Sequence, residues 1–371
     1  MSESNEKAAD TTATSNTSNN APNNNIIQEE SWAEHAKFAA EYTSHSSQHI
    51  PLLLLHKKNA SIHIQSVDPS NMTLLDVCNY VPDDQVDGSG HCVWMGALFL
   101  IHSLAISSSI SSTTTRTTTS SSSSNCWKFL QNKTICEFGC GTGAAGIGLL
   151  KLCELQNKHE QSSEGRGGTA KVIFSDNDHQ ALSLCRTNCH NNHLPEHCFD
   201  IMHQESWVDI AAGNAPPLSN DTATAIGSSI DTILATDVLY DLKIIRPFWE
   251  TAAKVLDMND SSHKKHKHLI LSHVPRWFLP KEDDKSKSKK DTELEHSPAL
   301  ELEQFIVQQA NECGFHLVQT VRPNNLLEAI AECGSEALSA EEEKKLRSEL
   351  KEMEQAGAVL LVFERGTEDA D

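Results

Sequence analysis

With 371 residues, 38% hydrophobic side chains and a formal charge of −21, the chain can form one large α/β domain but is too polar to be core throughout. Bulk acidity argues against a nucleic-acid binder, no apolar run approaches the length of a membrane span, and the N-terminus lacks the apolar stretch of a secretory signal. The 11 cysteines are scattered, so a reducing compartment is expected, cytoplasm or nucleus, with a monomeric chain and no membrane partner.

Residues 1–30 are rich in Ser, Thr and Asn and are expected to be disordered, because they cannot bury enough surface to offset their ordering entropy. Residues 31–371 are read as a single domain carrying low-complexity surface insertions at 107–125, 159–168 and 281–297. Within that domain, Trp94, Ala97, Leu98, Ile101 and Leu104 repeat at helical spacing. "TICEF" reads as a strand, "AAGIGLLKLCEL" as a helix opening at glycines, "KVIFSD" as a strand and "HQALSLCRTNCHNN" as a helix. "DTILATD" is the next strand singled out, and "PFWETAAKVLDM" a helix that Pro247 can start. "HLILS" is a strand, followed by two helices ending at Gly314 and Gly357, each leading into a closing strand. Strands separated by helices predict a Rossmann-like, doubly wound α/β fold with a seven-strand sheet, mostly parallel with an antiparallel edge strand.

"ICEFGCGTGAAGIG" (135–148) contains two overlapping glycine motifs. Gly141, Gly143 and Gly146 spell the dinucleotide fingerprint, whereas Gly139, Gly141 and Gly143 form a different loop behind Glu137. Both exploit backbone that turns sharply and approaches a ligand closely. A carboxylate beside a pyrophosphate is unhelpful, but beside the sulfonium and ammonium of S-adenosyl-L-methionine it is reasonable. The methyl-donor register is therefore favoured, with Gly146 assigned to close helix packing. Asp176, closing "KVIFSD", is placed to accept ribose hydroxyls, a role that would suit a nicotinamide dinucleotide nearly as well; Asp178 is its rival, or a helix N-cap.

"DTILATDVLY" puts Asp237 and Tyr240 at the carboxyl end of the fourth strand, the edge at which open α/β sheets bind ligands. Here the sequence resembles the family-16 seven-strand methyltransferases, many of which modify protein lysines. "GHCVWMGALFL", "EFGCGTG", "FSD", "ESW" and "ATDVLY" occur in that family's order over roughly residues 60–365, and Asp-x-x-Tyr is the most specific element. The resemblance implies a donor site of Trp94, Gly139, Cys140, Gly141, Asp176, Trp207 and Thr236, to which the residues themselves add Glu137 and Gly143. It implies catalytic roles for Asp237 and Tyr240, with a protein as substrate. "ESWVD" lacks the glycine that often follows the tryptophan in the family. A small-molecule N-methyltransferase and a donor-binding scaffold without activity are the alternatives. "CRTNCHNNHLPEHC" (185–198) fits no paired zinc framework and is read as buried thiols with surface histidines, so no metal is expected. "HKKHKH" (263–268) is read as a solvated basic loop, and the charged helix over 340–355 as a solvated face.

Overall fold

The computed structural model describes residues 45–52, 60–67, 88–110, 130–160, 170–218, 230–258, 266–275, 298–333 and 338–366. The chain divides into 1–44 and 45–371, and only the second unit falls within the described residues. The expected disorder of 1–30, and the insertions beyond Ile110, beyond Glu160 and at 281–297, lie outside them.

A hairpin comes first, β1 (His45–Leu52) paired antiparallel with β2 (Ala60–Val67). A 3-10 turn (Gly88–His91) leads into α1 (Met95–Ile110). The alternating core follows: β3 (Thr134–Phe138), α2 (Ala144–Glu160), β4 (Lys171–Asp176), α3 (His179–Asn191), β5 (Phe199–His203), α4 (Trp207–Ala212) and β6 (Thr232–Thr236). It continues through α5 (Leu242–Asp257), β7 (Lys267–His273), α6 (Pro298–Glu312), β8 (Phe315–Val321), α7 (Pro323–Cys333), α8 (Ala340–Gln355) and β9 (Val359–Arg365).

Seven of these strands form one sheet in the order β5-β4-β3-β6-β7-β9-β8. β5, β4, β3, β6 and β7 pair in parallel, while β9 runs antiparallel to both β7 and the edge strand β8. The predicted doubly wound, mostly parallel sheet with an antiparallel edge pairing is therefore present. Successive side chains of the central strands alternate between two cores, as a sheet covered on both faces requires. Ile135, Val172, Phe174 and Leu234 join the core built with α1, α2 and α3. Cys136, Phe138, Ile173 and Ile233 join the core built with α5 and α6. Strand order reverses between β4–β3 and β6–β7, which opens a crevice at the carboxyl ends of β3 and β6.

Three sequence expectations change. Pro247 does not start a helix: α5 begins at Leu242, capped by Asp241, whose carboxylate accepts the Lys243 N–H, and Pro247 lies inside it. Helix α1 runs through Ile110 rather than stopping where the serine tract opens, with Ser103 and Ser108 donating back to the Phe99 and Ala105 carbonyls. The basic run 263–268 is not wholly loop, because Lys267 and His268 belong to β7, with Lys267 buried and its ammonium donating to the Leu256 carbonyl. The 340–355 helix does expose most of its charge, but Leu346, Leu350 and Met353 are buried.

Candidate active site

A cleft of about 330 Å³ opens at the carboxyl ends of β3, β4 and β6, a volume at the low end of small-molecule sites. All eleven sequence-predicted residues but Gly143 line it; Gly143 stands just behind, in the turn that feeds α2.

The glycine loop fixes the floor. Gly139, Gly141 and Gly143 all have positive φ, whereas Gly146 sits within α2 and does not. At Gly141 a side chain is excluded twice over, by φ of +50° and by the Gly90 carbonyl, which would stand 2.7 Å from a Cβ. Gly146 serves approach of another kind: a Cβ there would run into the Glu137 carboxylate and stand 2.5 Å from Phe174 Cε1. The register beginning at Gly139 is thus the one whose backbone lies in the left-handed region.

Glu137 is buried on β3 and its Oε2 accepts the Gly146 N–H at 3.0 Å. Burial pushes its carboxyl up to about 8, with the Gly146 hydrogen bond opposing that shift and Asp176 adding to it. Asp176 accepts the Gly141 N–H on Oδ2 at 2.9 Å and the Asp178 N–H on Oδ1 at 3.0 Å, so this acid braces the glycine loop. The Asn177 N–H is a third backbone donor to this carboxylate, which leaves one of its four acceptor positions for a hydroxyl. Burial raises the Asp176 carboxyl as well, against the lowering effect of those backbone donors. Asp178 takes the other role foreseen for it: it caps α3 by accepting the Gln180 N–H and contacts His91 Nε2 at 3.1 Å. The Cys140 thiol is pushed up to about 12 by burial, so it lines the site as a small apolar group rather than a nucleophile.

Trp207 opens α4 behind its N-cap Ser206. Its ring stacks on Phe138 at 5.9 Å and meets Phe248 edge-on at 5.3 Å. Its indole N–H donates to Gln204 Oε1 at 3.2 Å, fixing the ring as one wall. Trp94 stands immediately before α1, its carbonyl accepting the Ala97 and Leu98 N–H groups. Thr236 closes β6 at the cleft.

Asp237 follows in the left-handed region, φ 55°, and is 5% exposed. Its backbone N–H donates to the Ser272 carbonyl. Its Oδ2 accepts the Gly96 N–H at 2.5 Å, near the start of α1, and its Oδ1 accepts the Val274 N–H at 2.8 Å, just past β7. The Ser272 hydroxyl completes the link by donating to the Gly96 carbonyl. A carboxylate at a helix N-terminus is favoured by charge as well as by hydrogen bonding. Asp237 thus joins three segments at the cleft, a role that sequence reasoning missed together with its partners Gly96, Ser272 and Val274. Tyr240 lies at the rim, 46% exposed.

The cleft's acids are Glu137, Asp176, Asp178, Glu205 and Asp237, and no lysine or arginine lines it among the described residues. Such a site offers nothing cationic to a pyrophosphate and suits a cationic ligand. The motif loop of "CRTNCHNNHLPEHC" is distant in character: Cys185 and Cys189 are buried behind the glycines, and His190, His193 and His197 are exposed.

Fold and cleft together define a Rossmann-like α/β protein with an acid-lined cleft at its switch point. A family model described as lysine methyltransferase matches residues 80–272, and the chain belongs to that family. A ribosomal protein L11 methyltransferase of Teredinibacter turnerae is 34% identical over 89 residues, 23% of this chain and 25% of that relative's length. The chain therefore matches about a quarter of it. Among solved structures, a putative sarcosine dimethylglycine methyltransferase from Galdieria sulphuraria aligns over 64% of this chain and 80% of its own, at 15% identity and a TM-score of 0.34. A magnesium protoporphyrin IX methyltransferase from Synechocystis, with bound S-adenosylhomocysteine, covers 76% and 90% at 13% identity and the same TM-score of 0.34. The family's cofactor is S-adenosyl-L-methionine, and the residues here fit it: an acid at the ribose position, an indole wall, a glycine loop with no room for side chains, and no competing cation among the described lining residues.

Proposed function

We propose that this protein transfers the methyl group of S-adenosyl-L-methionine to a lysine side-chain nitrogen of a protein substrate, acting as a monomer. Family membership supports the reaction class. The single observation that supports the acceptor is the acid-lined cleft without lysine or arginine among its described lining residues, with Asp237 and Tyr240 among those that line it. A small-molecule amine is the competing acceptor and nucleic acid is not expected.

When bound, the donor supplies an electrophilic methyl on a sulfonium, which leaves as a neutral thioether. Everything else falls to the chain. The glycine loop and Glu137 hold the amino-acid end, Asp176 the ribose and Trp207 the adenine. In-line displacement then depends on placing the amine and excluding water. An unperturbed lysine has a pKa of about 10.4, so its proton must be lost before attack, and the walls formed by Trp94 and Ile244 favour the neutral amine. Asp237 orients that amine, and Tyr240 bounds its approach at the rim.

Incubation with methyl-labelled donor and a whole-cell lysate tests the reading. Label in discrete protein bands, lost with Tyr240→Ala, is the expected result. Label confined to small molecules would overturn the protein acceptor, and donor binding without any transfer would overturn the enzyme.

A further inference from the structure

Behind the glycine loop, α3 carries two buried asparagines one turn apart, Asn188 and Asn192. Both treat β2 as a neighbouring strand would. Asn192 Oδ1 accepts the His63 N–H at 2.9 Å and its Nδ2 donates to the His63 carbonyl at 2.7 Å. Asn188 Oδ1 accepts the Gln65 N–H at 2.7 Å and its Nδ2 donates to the Gln65 carbonyl at 3.1 Å. Asn192 Nδ2 also donates to the Asn188 carbonyl at 2.8 Å, within the end of α3, whereas the further bond of Asn188 leaves the helix. The second amide hydrogen of Asn188 goes to the Thr142 carbonyl at 2.9 Å, inside the glycine loop. One side chain, with no exposed surface, therefore ties the N-terminal hairpin to the donor loop.

Thr142 is buried, lines the cleft and sits between Gly141 and Gly143, both at positive φ. Glycines have the widest conformational freedom; the Gly143 N–H holds one side of the peptide between them by donating to the Cys140 carbonyl at 2.7 Å, and the Thr142 carbonyl on its other side takes its donor from outside the loop. The inner face of α3 supplies that donor. Cys185 Sγ would stand 2.5 Å from a Cβ on Gly143, so α3 abuts the loop directly, and Asn188 lies one turn further along the same face. An unfilled Thr142 carbonyl in this buried position is unfavourable, so the loop would shift to find another donor.

We propose that Asn188 is a positioning residue for the donor site: it fixes the Thr142 peptide, and through it the β1–β2 hairpin sets the affinity for S-adenosyl-L-methionine. This rests on the donor site and is independent of which acceptor the enzyme uses. Asn188 touches neither donor nor acceptor; it acts through the loop.

The matched substitutions Asn188→Asp and Asn192→Asp test it. Each replaces an amide donor facing carbonyls with an acceptor, at the same hairpin strand and on the same helix, but only the first alters a contact to the donor loop. Dissociation constants for S-adenosylhomocysteine are measured by calorimetry on the full chain, alongside melting temperatures and the separation of donor KM from kcat. Asn188→Asp is expected to raise Kd and donor KM by about tenfold or more, with kcat at saturating donor within about twofold of the parent. Asn192→Asp is expected to lower the melting temperature comparably while leaving Kd within about twofold. Asn188→Ala, which introduces no charge, should raise Kd in the same direction and keeps the test open should the aspartate variant fail to fold. Equal Kd values for parent and both Asn188 variants, or equal losses at 188 and 192, would overturn the proposal. A parent that binds no S-adenosylhomocysteine would overturn the donor site and this proposal with it.

Discussion

Gly96→Ala probes the junction at Asp237 without altering the carboxylate. A Cβ on Gly96 would stand 2.6 Å from Asp237 Cγ and Oδ2 and 2.7 Å from Oδ1, where ordinary contact begins at 3.4 Å. The carboxylate or the start of α1 must therefore move by about 0.8 Å, which is 3.4 minus 2.6. Such a shift stretches the Gly96 N–H bond from 2.5 Å to about 3.3 Å, just past the usual range for N–H to oxygen. Overpacking of this kind costs about 1–3 kcal/mol and the hydrogen bond to a charged group about 1.5–3 kcal/mol. Alanine's better helix propensity returns at most about 1 kcal/mol, less in a first turn. A net loss of about 1.5–6 kcal/mol follows, or at least roughly 3 °C in melting temperature for a domain of this size. Because Asp237 and Tyr240 share one short loop, kcat should fall about tenfold or more while the fold persists. Thermal denaturation with turnover assays reads both. A Gly96→Ala protein as stable and as active as the parent would refute the reasoning, since the contact leaves no unstrained position for the added methyl.

Further predictions concern the donor side. Glu137, with a folded pKa of about 8 against an unfolded 4.5, should confer stability that is complete below pH 4.5 and is lost as pH rises through 8. Glu137→Gln should flatten that slope, worth on the order of 4 kcal/mol across the window, as followed by urea unfolding at several pH values. A cationic donor needs the ionised carboxylate, so donor affinity should rise with pH towards 8 and binding should release protons. Calorimetry in buffers of differing ionisation enthalpy detects this, and a pH-independent affinity with no proton release would count against Glu137 as donor ligand. Trp207→Ala should raise the Kd for S-adenosylhomocysteine about tenfold, whereas Trp207→Phe, keeping the stack on Phe138 but losing the bond to Gln204, should raise it by less. NAD should not compete for the site even at millimolar concentration, as measured by displacement of a bound donor analogue.

What could be read in the sequence was local. The Gly139 register was legible because the positive-φ demand of a strand-to-helix loop leaves glycines at fixed spacing, and Asp176 was legible because it ends an unbroken apolar strand. The hairpin was not. β1 and β2 interleave polar and histidine residues with their apolar ones, and the groups that anchor β2 to the end of α3 are Asn188 and Asn192, 123 and 129 residues away in sequence. β5, "FDIMH", carries an aspartate within five residues, and α7 was hidden behind its asparagines. Pro247 drew attention as a helix start, although Asp241 already offered a cap five residues before the proline's own neighbour Arg246. Asp237 shows the limit most clearly. Its place at a strand end marked it as functional, but its bonds to Gly96 and Val274 span 141 and 37 residues, which no local pattern encodes.

Methyl transfer to a protein lysine is read out by mass spectrometry of the modified protein. The protein band labelled by the full-length enzyme and donor should, after digestion, carry its new methyl groups on a lysine side chain, absent when Tyr240→Ala replaces the parent. Methyl groups found on another residue type, or on non-protein molecules alone, would contradict the account.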